Sequence, residues 1–187
     1  MQKRAVIIHG WGASPSDHWF PWLSHELEAQ GFAVSVPAMP DTDHPDKDAW
    51  VSTIRDTVGT ADEGLILVGH SIGTVAILRY LESLPSPTRV AGAVLVAGFL
   101  EADDAELATF FSSPFDCERI KSTCGAIIAI EGDDDPHVLP GSGALIRDTL
   151  GAKLITLHEA GHMNAEDGFT TLPSALEAIR SLFPIVV

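Results

Sequence analysis

The sequence predicts an α/β domain with a doubly wound, mostly parallel sheet of six strands and helices on both faces. Short apolar runs rich in β-branched residues alternate with segments of helical periodicity. Most of these runs are apolar throughout, which is typical of strands covered by helices on both sides. A length of 187 residues suits one core, and no repeat, low-complexity tract or linker divides the chain. We therefore expect a single domain over residues 1–187.

The elements alternate strictly along the chain. The predicted strands lie at 5–8, 32–36, 65–68, 90–96, 126–130 and 154–157. The first helix is expected to start within 14–17, Ser-Pro-Ser-Asp, which offers an N-cap, a proline at the first helical position and an acidic third position. Apolar residues at helical spacing predict later helices at 50–58, 75–81, 145–150 and 172–183. Right-handed crossovers between such units give a parallel sheet.

The connection from Gly98 to Cys124 departs from this regular alternation. It holds one predicted helix, 103–111, and a Ser-Ser-Pro break after it. A segment of this length is too short to form an independent covering domain, so any lid over a site is expected to be a loop. Its aromatic side chains are candidates to line a pocket: Phe99, Phe110, Phe111 and Phe115.

Composition excludes several classes of partner. The net charge of −15 makes a surface that repels phosphate backbones and anionic lipid, so neither nucleic acid nor membrane is an expected partner. No apolar run is long enough to span a bilayer, and the N-terminus enters a strand without the body of a signal peptide. Cys117 and Cys124 are expected to be unpaired thiols. These features predict a cytoplasmic protein.

The strongest motif is Gly-His-Ser-Ile-Gly at 69–73. It follows the strand at 65–68 and precedes a helix, which is the context of a nucleophile elbow. A serine on such a sharp turn is held in a strained conformation with its hydroxyl exposed, and side chains two positions before and after it would collide. Ser71 is therefore the candidate nucleophile.

A serine hydroxyl needs a base, and the base works best beside a carboxylate. Such groups collect at the carboxyl ends of parallel strands. Three consecutive aspartates, 133–135, follow the fifth strand, and His158 and His162 follow the sixth. The resulting order of serine, aspartate and histidine along the chain is that of one particular hydrolase fold.

The segment 158–162 also reads His-Glu-x-x-His, the signature of zinc proteases. That motif works only on a helix, where the two histidines share a face. Here a strand-like run precedes it, Gly161 weakens a helix, and no later histidine is available as a third ligand. We expect no metal.

Five motifs in order make the sequence resemble the α/β-hydrolases, specifically the small, cap-less serine hydrolases of the YdeN-like type, related to retinoblastoma-binding protein nine. The motifs are His-Gly-Trp-Gly at 9–12, His-Trp-Phe-Pro-Trp-Leu at 18–23, the elbow at 69–73, Asp-Asp-Pro at 134–136 and Gly-His at 161–162. The resemblance implies Ser71 as nucleophile, Asp135 as orienting acid and His162 as base. It also implies an oxyanion hole from the backbone N–H groups of Trp11 and Ile72.

The acid and the base each have alternatives. The spacing from Asp135 to Val138 matches the Asp-x-x-Val turn usual in this fold, which favours Asp135 over Asp134. His162 follows a glycine in a loop that can double back to the serine, whereas His158 lies at the strand end. The other histidines are expected to be solvent-facing (His137) or to serve packing and hydrogen bonding (His9 and His70).

The predicted activity is hydrolysis of small or short-chain esters through an acyl-enzyme, without a cofactor. A thioesterase, an amidase or a small-peptide hydrolase would use the same triad. A protein-binding module that keeps the hydrolase fold is the alternative from another class, and a protein partner is not readable from the sequence. The expected substrate contacts are Trp11, Phe99, Phe115 and Met163.

Overall fold

A computed structural model of the chain describes residues 2–183. Its sheet has six strands, all parallel, in the order β2-β1-β3-β4-β5-β6. The strands are β1 (Arg4–Ile8), β2 (Ala33–Ser35), β3 (Leu65–His70), β4 (Val90–Val96), β5 (Cys124–Gly132) and β6 (Lys153–Leu157). The predicted fold class is confirmed, and each predicted strand is present with small shifts of its ends.

Helices cover both faces of this sheet. They are α1 (Phe20–Glu28), α2 (Lys47–Val58), α3 (Ile72–Ser83), α4 (Cys117–Thr123), α5 (Ser142–Leu150) and α6 (Pro173–Leu182). One apolar layer packs α1 and α6 against the sheet, and the other packs α2, α3, α4 and α5. The strand order reverses direction at β1 and β3, so a crevice opens outside their carboxyl ends.

The first helix begins later than predicted. Residues 14–17 form a turn, in which the Ser14 N–H donates to Asp17 Oδ2 at 2.7 Å. His18 follows with a left-handed φ of 53°, which no helix can include, and α1 starts only at Phe20 with Pro21 in its first turn. The prediction of a helix start within 14–17 was wrong because this backbone reversal at His18 has no signature in the sequence.

The segment between β4 and β5 holds more regular structure than predicted. A 3₁₀ helix covers Ala105–Phe111, and α4 follows, capped by the Asp116 carboxylate, which accepts from the Arg119 N–H at 2.9 Å. The side chain of Arg79, on α3, is buried and binds this segment. It donates to the carbonyl oxygens of Phe110 at 2.7 Å and Ser113 at 2.6 Å. The connection is thus anchored to the body of the domain.

No helix within residues 2–183 is long and apolar enough to cross a membrane. Cys117 is half-buried and Cys124 is buried, and both carry free thiols. Burial raises the pKa of the Cys124 thiol to about 12, so this group stays protonated at neutral pH.

Candidate active site

Ser71 stands on a sharp turn between β3 and α3. Its backbone has φ 54° and ψ −127°, a strained conformation for a residue with a side chain. The flanking glycines are required by close backbone approach: a Cβ on Gly69 would lie 2.8 Å from the Thr74 backbone, and a Cβ on Gly73 would lie 2.5 Å from the Ile8 carbonyl oxygen. The Gly-x-Ser-x-Gly pattern therefore follows from the packing of β3, α3 and β1.

A cavity of about 580 Å³ opens over this turn. Ser71 lines it together with Gly10, Trp11 and His162, and it lies at the crevice outside the carboxyl ends of β1 and β3. A volume of this size suits a small-molecule ligand.

His162 and Asp135 are hydrogen-bonded at the edge of this cavity. The Nδ1 atom of His162 lies 2.8 Å from Oδ2 of Asp135, and both side chains are more than nine-tenths shielded from solvent. The other carboxylate oxygen, Oδ1, accepts from the backbone N–H groups of His137 at 2.8 Å and Val138 at 3.1 Å. Burial favours the neutral carboxyl, but these hydrogen bonds outweigh it and lower the pKa of Asp135.

The neighbouring aspartates hold other atoms of the loop that carries His162. Asp133 accepts from His158 Nδ1 at 2.7 Å and from the Glu159 N–H at 2.8 Å. Asp134 accepts from the Gly161 N–H at 2.7 Å. Three consecutive carboxylates thus contact three different points of one loop, and only that of Asp135 contacts the His162 imidazole.

The His-Glu-x-x-His segment at 158–162 lies in turns after β6 rather than on a helix. Its two histidines bind separate carboxylates, Asp133 and Asp135. Nowhere in residues 2–183 do three or more His, Cys, Asp or Glu side chains gather as metal ligands.

The backbone N–H groups predicted to form an oxyanion hole belong to segments that meet at the elbow. A Cβ on Gly10 would lie 3.1 Å from the Ser71 Cβ, so the loop carrying Trp11 packs directly against the serine. Within residues 2–183, the N–H groups of Trp11 and Ile72 have no hydrogen-bond acceptor. Ile72 begins α3, where the helix dipole favours negative charge.

Of the predicted substrate contacts, two line the cavity and two do not. Trp11 and Phe99 do; Trp11 is 38% exposed, and its Nε1 donates to the Asp43 carbonyl at 3.0 Å. Met163 was a wrong prediction, because its side chain is fully buried between the sheet and the α1 and α6 layer. Phe115 lies outside this cavity, and its ring packs against the Arg79 guanidinium, whose Cζ lies 3.8 Å from the ring centroid.

The sequence reasoning missed the acidic lining of the cavity. Its carboxylates are those of Asp17, Glu101, Asp103, Asp104 and Glu166, and no lysine or arginine is among the lining residues. The net charge was the only available signal, because the five acids come from three separate loops. His18, His70, His137 and Asn164 add further polar lining, and Leu107, Val138 and Leu139 contribute apolar surface.

The remaining histidines near the site differ in environment. His9 is buried, donates from Nδ1 to the Gly10 carbonyl at 3.0 Å and accepts at Nε2 from the Met39 N–H at 3.0 Å. His70 is also buried, which lowers its pKa to about 3 and keeps it neutral. His137 is exposed, and its ring lies 5.0 Å from that of His162.

The parallel sheet, the serine elbow and the cavity at the strand ends together define an α/β-hydrolase fold. The chain matches the model of the family described as "Serine hydrolase" over residues 5–181. The protein therefore belongs to the serine hydrolase family.

Individual relatives agree with this assignment. YdeN of Bacillus subtilis (strain 168) is 33% identical over 185 residues, which cover 98% of this chain and 97% of the relative. The serine hydrolase RBBP9 of Rattus norvegicus is 32% identical over 165 residues, covering 85% of this chain and 86% of the relative. The predicted family resemblance is thus confirmed, and the relatives support hydrolase activity for this chain.

Solved structures show the same fold. The crystal structure of the B. subtilis ydeN gene product superposes with a TM-score of 0.91 at 33% identity, covering 97% of this chain and 98% of the other. Est1E from Butyrivibrio proteoclasticus has a TM-score of 0.72 at 14% identity, covering 97% of this chain and 87% of the other. At that identity the second likeness concerns the fold alone.

Proposed function

We propose that this hydrolase is a carboxylesterase that cleaves small esters, with Ser71 as nucleophile, His162 as base and Asp135 as its orienting carboxylate. The observation that carries the proposal is the 2.8 Å hydrogen bond from His162 Nδ1 to Asp135, formed beside a strained serine that lines the same cavity. No cofactor enters the proposed chemistry.

The hydrogen bond to Asp135 assigns the tautomer of His162. Since Nδ1 carries the donated proton, Nε2 has the lone pair and can accept a proton from the Ser71 hydroxyl. The carboxylate also stabilises the imidazolium that results. The lowered pKa of Asp135 keeps it ionised for this role at neutral pH.

In the acylation half-reaction, the Ser71 oxygen attacks the ester carbonyl as its proton moves to His162. The negative charge that develops on the carbonyl oxygen is bound by the N–H groups of Trp11 and Ile72, which have no acceptor in the described part of the chain. The tetrahedral intermediate then collapses, and His162 donates its proton to the leaving alcohol.

Deacylation repeats these steps with water. His162 removes a proton from a water molecule, the resulting hydroxide attacks the acyl-enzyme carbonyl, and the same two N–H groups bind the second oxyanion. The carboxylic acid leaves and Ser71 regains its proton. Each oxyanion donor is expected to contribute about 3 kcal/mol to transition-state stabilisation.

The cavity indicates the substrate class. A volume of about 580 Å³ suits a small-molecule ester, and the carboxylates that line the cavity disfavour a long apolar acyl chain beside them. The five lining carboxylates, without a lysine or arginine beside them, disfavour an anionic acyl or alcohol group. We therefore propose neutral or cationic short-chain esters as substrates.

The proposal is tested by a chain-length series of p-nitrophenyl esters from acetate to dodecanoate. We expect kcat/KM to be highest for the short chains and to vanish in Ser71→Ala. The matched control is Ser122→Ala, because Ser122 is exposed on α4 and its hydroxyl only contacts the Arg119 carbonyl. Absence of turnover with every ester would contradict the proposal, and faster turnover of matched thioesters would reassign the scissile bond.

A further inference from the structure

The loop that carries His162 is strained. On either side of His162, Glu159 at φ 51°, Gly161 at φ 51° and Met163 at φ 55° adopt left-handed backbone conformations. Such conformations persist only where the surrounding structure determines them. Because the position of the His162 imidazole depends on this backbone, the contacts that hold the loop also hold the imidazole.

Three ring nitrogens from the first half of the chain bind the backbone of this loop. His70 Nε2 lies 2.8 Å from the His162 carbonyl oxygen. Trp19 Nε1 donates to the Met163 carbonyl oxygen at 3.0 Å. His18 Nδ1 accepts from the Ala165 N–H at 3.0 Å. The loop is therefore bound at His162 and at the residues that follow it.

These three side chains also pack against one another, and we call them the ring clamp. Measured between ring centroids, His70 lies 5.5 Å from His18 and 5.9 Å from Trp19. The centroid of the His70 ring is also 4.9 Å from that of His162. Trp19 is fully buried and His70 is 2% exposed. Within the clamp, His70 lies next to the His162 imidazole, and His18 and Trp19 pack against His70.

The hydrogen bonds assign the protons of the clamp. A carbonyl oxygen only accepts, so Nε2 of His70 carries the proton and Nδ1 has a lone pair. That Nδ1 is buried and has no partner within residues 2–183. Leaving a buried nitrogen unpaired costs free energy that an apolar ring of the same shape would avoid. Packing alone thus does not explain a histidine at position 70, whereas donation to His162 does.

We propose that His18, Trp19 and His70 are positioning residues for His162, which place its imidazole against Ser71 by fixing the backbone at 162–165. The inference rests on the proposed function, since it concerns the base of that reaction. It also gives a role to the His-Trp pair at 18–19, which the reaction itself does not use.

The test replaces the donor of His70 while keeping its bulk. His70→Gln retains an N–H near the position of Nε2, and His70→Met removes it. We expect His70→Met to lower kcat on a short aryl ester about 100-fold with KM within threefold of wild type, because a displacement of about 1 Å costs this much. His70→Gln is expected to recover at least tenfold of that loss.

Trp19→Phe provides a second variant, with its N–H removed and most of its ring kept. A loss in kcat of about tenfold is expected from the freed Met163 carbonyl. The matched controls are His25→Met, which changes an exposed histidine of α1, and Trp22→Phe, which changes a half-buried tryptophan of the same helix. Both controls are expected to keep wild-type kcat and KM.

A readout independent of turnover separates this inference from the proposed function. The proton shared by His162 and Asp135 is expected to give a far-downfield NMR resonance in wild type, which persists in His70→Gln and broadens or disappears in His70→Met. If wild type hydrolyses no ester but the resonance behaves this way, the proposed function is contradicted, while the positioning role of the ring clamp is supported. The clamp is overturned if folded His70→Met keeps both the resonance and wild-type kcat, or if His70→Gln is as impaired as His70→Met.

Discussion

Asp135 and His162 are joined by a 2.8 Å hydrogen bond, while the two aspartates before Asp135 bind other atoms of the same loop. The sequence offers three adjacent carboxylates with identical chemistry, and the geometry distinguishes them. Asp134 contacts only the backbone N–H of Gly161, which orients the loop but does not reach the imidazole.

Asp135→Asn is expected to lower kcat by about 10⁴-fold, because an amide in this place can present its NH₂ to Nδ1 and favour the unproductive tautomer of His162. Asp134→Asn is the matched control. Its amide oxygen can still accept from the Gly161 N–H, so kcat should stay within about tenfold of wild type. Steady-state kinetics on one ester decides between them, and a larger loss in Asp134→Asn than in Asp135→Asn would show that the orienting acid is misassigned.

Arg79 is expected to stabilise the connection between β4 and β5. Its side chain is 3% exposed, donates to the carbonyls of Phe110 and Ser113, and forms an ion pair with Glu82 at 2.7 Å. Arg79→Met should lower the free energy of unfolding by about 3 kcal/mol, since it leaves the buried Phe110 carbonyl without a donor and the Glu82 carboxylate without its ion-pair partner. Urea unfolding measures the change.

The control for that measurement is Arg147→Met. Arg147 is exposed and pairs only with its neighbour Asp148, so its replacement should change stability by no more than about 0.5 kcal/mol. Equal effects of the two substitutions would mean that Arg79 does not anchor the connection.

Stability should fall as the pH drops below about 6.5. Burial lowers the pKa of His9, His18 and His70, the last to about 3, so the unfolded chain binds protons that the folded chain does not. The stabilisation is complete above the unfolded pKa of about 6.5 and is lost progressively as the pH falls toward the folded value. Exposed His158, whose pKa is raised by its hydrogen bond to Asp133, acts weakly in the opposite direction.

For His70 alone this loss amounts to about 2 kcal/mol between pH 7.5 and pH 5.0. Urea unfolding at these two pH values should show a difference in free energy that is smaller by about this amount in His70→Gln. An unchanged difference in the variant would mean that folding does not lower the pKa of His70.

The acidic lining should select substrates by charge. For esters of matched size at low ionic strength, an added carboxylate is expected to lower kcat/KM about tenfold, and the difference should shrink in 0.5 M salt because the exposed acids are screened. Neutralising two lining acids, as in Asp103→Asn combined with Glu166→Gln, should relieve the penalty. A penalty that neither salt nor these substitutions change would have a steric origin.

The sheet and the elbow were predictable from the sequence because their signals are local. Strands buried on both faces are continuously apolar, as at 65–68, and an approach as close as that between Gly73 and Ile8 admits only glycine. The carboxyl ends of parallel strands meet at one edge of the sheet. The convergence of a serine, an aspartate and a histidine that follow three different strands can therefore be predicted without knowing the conformations of the loops.

Other features depend on contacts between distant segments, which leave no local pattern. The predicted helix start within 14–17 was wrong because His18 reverses the backbone and binds the Ala165 N–H, 147 residues further along the chain. Phe115 was predicted to contact substrate, but buried Arg79 offers its ring a cation–π partner. Met163 follows His162 directly, yet its left-handed backbone turns the side chain into the core.

The most direct test of the proposed mechanism is covalent labelling with a fluorophosphonate, which reacts only with a serine activated by its neighbours. We expect one phosphonyl adduct per chain in wild type and in Ser122→Ala, with peptide mass spectrometry mapping the adduct to Ser71. Ser71→Ala should remain unlabelled. A wild-type protein that does not react, or labelling that persists in Ser71→Ala, would contradict the assignment of Ser71 as the nucleophile.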